Sequence, residues 1–487
     1  MMIEIRPASF VLLLVCLCFS ASNLFADTRP NVLFIAVDDM NDWITPLGSN
    51  RAKTPHLQRL ADMGVTFTNA HCPGVFCAPS RTAIFTGRYP STTGHYMTTH
   101  YMDTHPEIRP LQVLFKEGGY KTMGMGKLFH HGRLSTDLRG WDLFNTRNEA
   151  QREMGYLPDS WGEGTPRPDP YPASTYNQKN PKWKGKPFME VGAIKNEEEA
   201  AMADTIRADW ASEMLSQKHD KPLFLAVGFY APHYPNYVPQ KYLDMYPVES
   251  IERAPYRADD LDDLPKHVAE RFLARKKDIF DRLESWGEVE LMIRGYLASI
   301  TYADAMLGRM LDALEKGPHK DNTIIVFWSD HGYALGEKGH WGKHTLWQRT
   351  TNVPFLWAGP GIARGVTTNA TASLVDIYPT LAEMCGLKPD AGAEGISLKE
   401  VLQQGLQDSG RSIWTIYSKP NSYSVINRDW RYIHHSNETE ELYNTSDDPH
   451  EWKNLAENPE YASIKEQLIN AAPTQFAPSI QWPKKKP

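Results

Sequence analysis

Cysteine is scarce in this chain, with 5 in 487 residues. Cys16 and Cys18 sit in an N-terminal apolar run, which leaves Cys72, Cys77 and Cys385. Three thiols cannot staple a protein of this length, so a disulfide scaffold is excluded. A Cys72–Cys77 bridge stays open as the plain reading of that close pair. Charge of one sign is not in large excess either. A net charge of -7 offers no basic surface for nucleic acid, and the terminal Lys484, Lys485 and Lys486 read as a solvated tail. No internal repeat is present, and no apolar run is long enough to span a bilayer.

The opening MMIEIRPASFVLLLVCLCFSASNLFADT reads as a secretory leader. Arg6 supplies a basic start, Phe10 to Phe19 a short apolar stretch, and Ala26 a cleavage site before Asp27. Residues 1–26 are therefore expected to be removed. That predicts an exported protein, periplasmic or extracellular, with no integral membrane segment after cleavage.

Several apolar runs end abruptly in polar groups. NVLFIAV (31–37) runs into Asp38 and Asp39. KTMGMG (121–126) runs into Lys127 and His130. PLFLAVGFY (222–230) runs into His233, and NTIIVFW (322–328) into Asp330 and His331. VPFLWAG (353–359) is a fifth run. Continuous apolar runs suit strands buried on both faces of a parallel sheet. Helical patterns lie between them. TPHLQRLADMG has Thr54 as cap, Pro55 at the first helical position and Gly64 past the end. ITYADAMLGRMLDALEKG and VDIYPTLAEMCG follow the same design. The fold class is therefore α/β, a large and mainly parallel sheet flanked by helices. In such sheets ligands bind outside the carboxyl ends of the strands, so these polar ends imply one shared site.

Two insertions interrupt this pattern. Residues 145–186 are rich in Pro, Gly, Trp and Tyr, and are expected to form an ordered rim. Residues 247–290 look charged and helical, a surface cover. From Arg411 the runs alternate and are rich in aromatics, which predicts an antiparallel sheet and then a helix near 461–471. The expected organisation is a catalytic domain at 27–408 and a smaller C-terminal subdomain at 409–487.

Adjacent carboxylates such as Asp38 and Asp39 repel unless compensated. With Asp330 they form a set of oxygens suited to a hard cation such as Ca²⁺; His331 is a less natural ligand. His130, His233 and His331 all follow apolar strands. Each alone would read as a hydrogen-bonded structural residue rather than a catalyst, but three in equivalent places weaken that plain reading. Arg81, Lys127 and Lys343 supply fixed cations for an anion. Cys77 precedes Pro79 in CAPSRTAIFTG, where a helix is predicted to start with Pro79 at its first position. Its free N–H groups would favour an anion and lower the thiol pKa. The set describes an anion-transfer site with a divalent cation.

Cys77-Ala78-Pro79-Ser80-Arg81, followed by Thr86-Gly87-Arg88, resembles the signature of type I sulfatases in the alkaline-phosphatase-like superfamily. VDDMNDW, GKLFHHG, AVGFYAPHYP, SDHGYALGEKGHWGK and ELYNTSDDPHEWKNLA follow in the family's order, most similar to the iduronate-2-sulfatase group and its bacterial relatives. The resemblance implies that a formylglycine-generating enzyme oxidises Cys77 to Cα-formylglycine during export, and that the hydrated aldehyde supplies the nucleophile. It implies that Asp38, Asp39, Asp330 and His331, with the modified Cys77, hold one Ca²⁺. Arg81 would hold the hydrated aldehyde, and Lys127 and Lys343 the sulfate. His130 would take a proton, and His233 with Lys343 would protonate the leaving alcohol. The implied substrate is a sulfated sugar at the end of a glycan-derived oligosaccharide. Trp347 and Arg349 would then offer a stacking face and a charge for a uronate or second sulfate, or be ordinary surface structure. Two rivals stand beside this. One is a phosphate or phosphonate ester hydrolase of the same superfamily. The other is a non-catalytic glycan-binding relative, which would have lost motif residues; none is missing.

Overall fold

The structure is a computed structural model that describes residues 29–130, 136–145, 166–169, 189–407 and 410–481. The leader, most of the 145–186 insertion and the 408/409 boundary lie outside the described residues. Among the described residues, no helix is long and apolar enough to cross a membrane.

Among the described residues the main sheet contains eight strands: β1 (Asn31–Asp38), β2 (Gly64–Phe67), β3 (Lys121–Gly126), β4 (Leu143–Asn145), β5 (Leu223–Pro232), β6 (Thr323–Ser329), β7 (Phe355–Ala358) and β8 (Val366–Thr368). Their spatial order is β8-β2-β7-β6-β1-β5-β3-β4. From β6 to β4 every neighbour is parallel. The fifth apolar run is a strand, but β7 lies antiparallel to both β6 and β2. A parallel partner needs a crossover that carries the chain back along the sheet. The chain between Ser329 and Phe355 has only short elements and stays at the carboxyl edge, so Phe355 pairs with Trp328 and β7 runs back. An apolar run reports burial on both faces, not direction.

Alternate residues of β1 enter opposite layers. Leu33, Ile35 and Val37 pack with Met306, Met310 and Leu314. Val32, Phe34 and Ala36 pack with Ile84, Phe85, Ile377 and Leu381. The helices carrying these partners are α2 (Cys77–Thr86), α5 (Val289–Lys316) and α6 (Ile377–Met384); α1 (Pro55–Met63), α3 (Ala203–Ser216), α4 (Lys266–Asp278) and α7 (Ala462–Asn470) complete those used below. Pro55 does open α1, but Thr54 makes no side-chain cap bond. Asp304 on α5 accepts the His56 and Leu57 N–H groups at 3.1 and 2.7 Å instead. A tertiary carboxylate thus fills the role that local sequence assigned to threonine.

The C-terminal region is an antiparallel sheet of β9 (Ser412–Ile416), β10 (Tyr423–Asn427), β11 (Trp430–His434) and β12 (Glu440–Asn444), in that order, followed by α7. It docks on the segment that leads into α2. The Ile416 N–H donates to the Pro73 carbonyl at 3.0 Å, and the Thr415 hydroxyl to the Cys72 carbonyl at 2.6 Å. Within the second insertion, α4 is charged as expected but does more than cover the surface. Leu261, Leu264, Val268 and Phe272 form a separate core with Trp347, Tyr417, Ile433 and Tyr443.

Candidate active site

The strand ends converge. Asp38 closes β1 opposite Pro232 of β5. Asp39 then takes a left-handed conformation, with φ of 66°, which costs a non-glycine residue about 1–2 kcal/mol. Bonds around it fix the turn. The Tyr296 hydroxyl donates to the Asp39 carbonyl at 2.5 Å. The Asp39 N–H donates to Asp330 Oδ1 at 3.2 Å, and the Met40 N–H to the Ser329 hydroxyl at 2.9 Å. The turn lets two successive carboxylates face the same buried space.

Each carboxylate has a cation. Asp38 Oδ2 accepts from the Lys127 ammonium, and Asp38 Oδ1 lies 3.4 Å from Arg81. Asp39 Oδ1 accepts from Lys343 Nζ at 2.6 Å. Asp330 Oδ2 accepts from Arg81 Nε at 2.8 Å. Three carboxylates therefore meet three cations, and the repulsion expected from the sequence is answered within the protein. Burial alone would raise the Asp38 carboxyl, yet Lys127, His233, Arg81 and Lys343 together hold it well below the usual range. Asp39 goes the other way: burial outweighs Lys343, and Asp38 adds to the rise.

Cys77 is the first residue of α2, so Pro79 is the third rather than the first helical residue. Its Sγ lies 3.2 Å from His331 Nε2 and accepts from Lys343 Nζ at 3.1 Å. The thiol is 1% exposed. Its pKa is pushed well up by burial, and by Asp38 and Asp330, which override Lys343 and Lys127. This corrects the expected lowering at a helix start: nearby carboxylates and lost hydration outweigh the helix end. Cys77 does not bridge Cys72. All three described cysteines are free, and the Cys72 Sγ faces the Thr350 carbonyl at 3.8 Å.

His331 Nε2 also lies 3.3 Å from Asp39 Oδ1 and 3.7 Å from Asp330 Oδ1. His233 Nε2 sits 3.8 Å from Asp39 Oδ2. His130 meets the others less directly, its ring 4.9 Å from Phe76, the residue before Cys77. One ligand atom each from Asp38, Cys77, Asp330 and His331 falls within 4.8 Å of all the others; Asp38, Asp39 and His233 form an overlapping set.

Trp347 and Arg349 do not join this cluster. Trp347 is 5% exposed, and its indole N–H donates to Glu441 at 2.8 Å. Arg349 pairs with Asp42 and, at 2.7 Å, with Glu337. Neither is an open stacking face or a free charge. Other positioning residues were not singled out by the linear pattern. The Ser80 hydroxyl donates to the Asp330 carbonyl at 2.6 Å, tying β6's exit to α2. Asp204 on α3 accepts the Tyr230 and Ala231 N–H groups ahead of His233, at 3.0 and 2.9 Å. His344 stacks on Phe76 at 4.9 Å. Only Ser80 was accessible to sequence reading, through its place inside the CAPSR string.

The model of the sulfatase family matches residues 30–387. The chain belongs to the sulfatase family. A second match, described as N-sulphoglucosamine sulphohydrolase, C-terminal, spans 336–475. The sulfatase is 40% identical over 460 residues to a sulfatase of Formosa agariphila, covering 90% of this chain and 85% of that one. It is 29% identical to human iduronate 2-sulfatase, over 74% and 69% of the two chains. Its fold matches a protein solved in complex with its substrate D-glucosamine-2-N,6-O-disulfate, with a TM-score of 0.68, 21% identity, and 91% and 96% coverage. It also matches the phosphonate monoester hydrolase of Agrobacterium radiobacter, with a TM-score of 0.74, 21% identity, and 91% and 95% coverage. Both likenesses concern the fold, which is of the alkaline-phosphatase type. As a sulfatase, the protein hydrolyses sulfate esters.

Proposed function

We propose that this sulfatase removes sulfate from a sugar at the end of a glycan-derived oligosaccharide, with Cys77 in its formylglycine form and one Ca²⁺ in the acidic cluster. The observation that carries the reading is the position of Cys77 Sγ, 3.1 Å from Lys343 and 3.2 Å from His331, at the start of a buried helix. The sugar substrate is supported by the names of relatives. At 28% identity stands an ulvan-active sulfatase of Formosa agariphila, and at 26% an N-acetylglucosamine-6-O-sulfatase of Bacteroides thetaiotaomicron.

The donor set fits the ion. Asp38 and Asp330 offer buried oxygens close to His331 and the Cys77 side chain. Replacing Sγ by oxygen, as formylglycine does, makes that set richer in the hard donors Ca²⁺ prefers. Asp38, Asp39, Asp330 and His331 would hold the ion, with residue 77 beside them. Bound there, Ca²⁺ would act as a Lewis acid towards a sulfate oxygen. The hydrated aldehyde would supply the attacking oxygen.

The other roles belong to this chain's own side chains. Lys127 and Lys343 present ammonium groups to the sulfate oxygens. Arg81, fully buried against Asp330, keeps the carboxylates oriented and would hold the hydrated aldehyde at residue 77. His130 takes a proton from the oxygen at residue 77. His233, half-buried at the outer side of Asp39, gives a proton to the leaving alcohol, assisted by Lys343. In this reading residues 1–26 direct export, the formylglycine-generating enzyme acts on the chain in transit, and 27–408 and 409–487 are its two domains.

The test is sulfate release from desalted oligosaccharides of heparan, chondroitin, ulvan, carrageenan and fucan, beside choline sulfate and an aryl sulfate. A choline-sulfatase of Rhizobium meliloti is also 29% identical, so the small ester belongs in the panel. Release from at least one glycan is expected. Turnover of the small esters alone would overturn the sugar reading.

A further inference from the structure

Tyr230, near the end of β5, stands between two side chains that the proposed reaction uses. The Lys127 ammonium lies 4.5 Å from the centre of its ring. The His233 imidazole packs on the same ring, with centroids 4.6 Å apart. Tyr230 is 2% exposed. Among the described residues it nevertheless belongs to none of the hydrophobic clusters, whereas Val227, Phe229 and Ala231 beside it all sit in the core. A large buried ring ordinarily serves apolar packing. This one meets a cation and an imidazole instead.

The backbone around the ring is fixed on both sides. The Tyr230 N–H donates to both oxygens of Asp204 at 3.0 Å, and Asp204 is itself paired with Arg207 on α3. The exit of β3 is tied to the same strand, because the Lys127 N–H donates to the Gly228 carbonyl at 2.8 Å. Gly126, with φ of 86°, leaves no room for a Cβ against that carbonyl. On the other side the His233 N–H donates to the Tyr230 carbonyl at 2.9 Å. His233 Nδ1 lies 2.5 Å from the Tyr234 carbonyl. A carbonyl only accepts, so Nδ1 carries a hydrogen, and Nε2 is the nitrogen turned towards Asp39. The Tyr230 hydroxyl donates to the same Tyr234 carbonyl at 3.4 Å.

We infer that Tyr230 is a positioning residue of the reaction: its ring holds the Lys127 ammonium for the sulfate and the His233 imidazole for the leaving alcohol at one fixed spacing. The inference rests on the roles proposed above for Lys127 and His233 and deepens them. The aromatic face stands beside the ammonium where water would otherwise be, and Asp38 holds the cation from another side. The same ring limits the tilt of the imidazole, so Nε2 keeps its aim. Tyr230 transfers no proton itself. It acts through its two neighbours.

The experiment uses three changes at residue 230 in the formylglycine-bearing enzyme, with melting curves as a check on folding. Tyr230→Phe keeps the ring. Tyr230→Met fills much of the volume without one. Trifluorophenylalanine at 230 keeps the ring but weakens its negative face. Two quantities are read. The inhibition constant of inorganic sulfate reports on Lys127. The ratio of kcat/KM on 4-nitrophenyl sulfate to that on phenyl sulfate reports on His233, because the poorer leaving group relies more on protonation. Tyr230→Phe should stay within about twofold in both. Tyr230→Met should weaken sulfate inhibition and raise the ratio, each about tenfold. The trifluoro protein should weaken sulfate inhibition alone. A general structural defect would slow both esters alike and leave the ratio unmoved. Lys127→Ala and His233→Ala serve as references, the first for the inhibition constant and the second for the ratio. A reference that leaves its own quantity unmoved overturns the role proposed for that residue, and this inference with it. References that move beside a Tyr230→Met protein that changes neither quantity, or only one, overturn Tyr230 alone. If Tyr230→Met does not fold, the trifluoro protein decides: sulfate inhibition equal to that of Tyr230→Phe overturns the inference.

Discussion

Lys343 Nζ lies 3.1 Å from Cys77 Sγ, although 266 positions separate the two residues in the chain. The same ammonium donates to Asp39 Oδ1 at 2.6 Å. Asp39 therefore fixes the cation that faces residue 77. Lys343→Ala should lower kcat on an aryl sulfate by about 10²–10³, the usual cost of one preorganised donor at a developing charge. Formylglycine content should not change. Steady-state kinetics on the variant decide it, and a loss below tenfold would remove Lys343 from the catalytic set.

Cys77 should carry an aldehyde in active enzyme. Mass analysis of the peptide spanning 77, from a host with the maturation machinery, is the check; a fully active enzyme with an intact thiol there would sink the idea. Cys77→Ala should abolish turnover and cost only about 1 kcal/mol of stability, since one small buried group is lost. Thermal unfolding of the variant reads the second half.

Metal and fold should prove separable. Because Arg81, Lys127 and Lys343 already offset Asp38, Asp39 and Asp330, chelated protein should lose activity and some thermal stability but stay folded at 25 °C. Elemental analysis before and after chelation should follow one Ca²⁺. Unfolding on chelation would contradict the charge balance described here. Asp330→Ala is a harsher change. It removes the nearer of the two carboxylates that meet the fully buried Arg81 and should cost about 3–5 kcal/mol, whereas Asp330→Asn should lose metal and activity at a smaller cost in stability.

Stability should fall in acid through His95. Burial, then His100 and His105, bring its pKa down from the model-peptide value of 6.5 to about 3. Both ring nitrogens are engaged, by Thr98 at 2.7 Å and Thr104 at 2.8 Å. Between pH 6.5 and about 3 the unfolded chain binds a proton that the folded one does not. The stabilising effect is thus complete above pH 6.5 and shrinks as the pH falls, by about 1.4 kcal/mol per pH unit for one proton. Urea unfolding at pH 7.5 and 4.5 should show a smaller difference for His95→Gln than for the unaltered protein. An equal difference would assign the acid sensitivity to other groups.

Much of this molecule was legible in the linear sequence, because burial on both faces of a sheet forces unbroken apolar runs. Four such runs gave the parallel centre, β1, β3, β5 and β6, and their polar ends named the residues that meet at its carboxyl edge. The C-terminal sheet was legible for the related reason that half-buried antiparallel strands alternate. Local pattern carries no sign of strand direction, so β7's reversal was not visible. It carries no tertiary partner either, so Asp304's capping of α1 was hidden.

The sequence by itself determined which side chains crowd the site: carboxylates at Asp38, Asp39 and Asp330, cations at Arg81, Lys127 and Lys343, and a thiol at the start of a helix. Only the tertiary structure decided how their charges settle. It paired each acid with a cation, drove the Cys77 thiol up rather than down, and turned Trp347 and Arg349 into internal contacts. The physical reason is that electrostatic free energy depends on distance and hydration, and both come into being only when segments some 250 residues apart share one dry space.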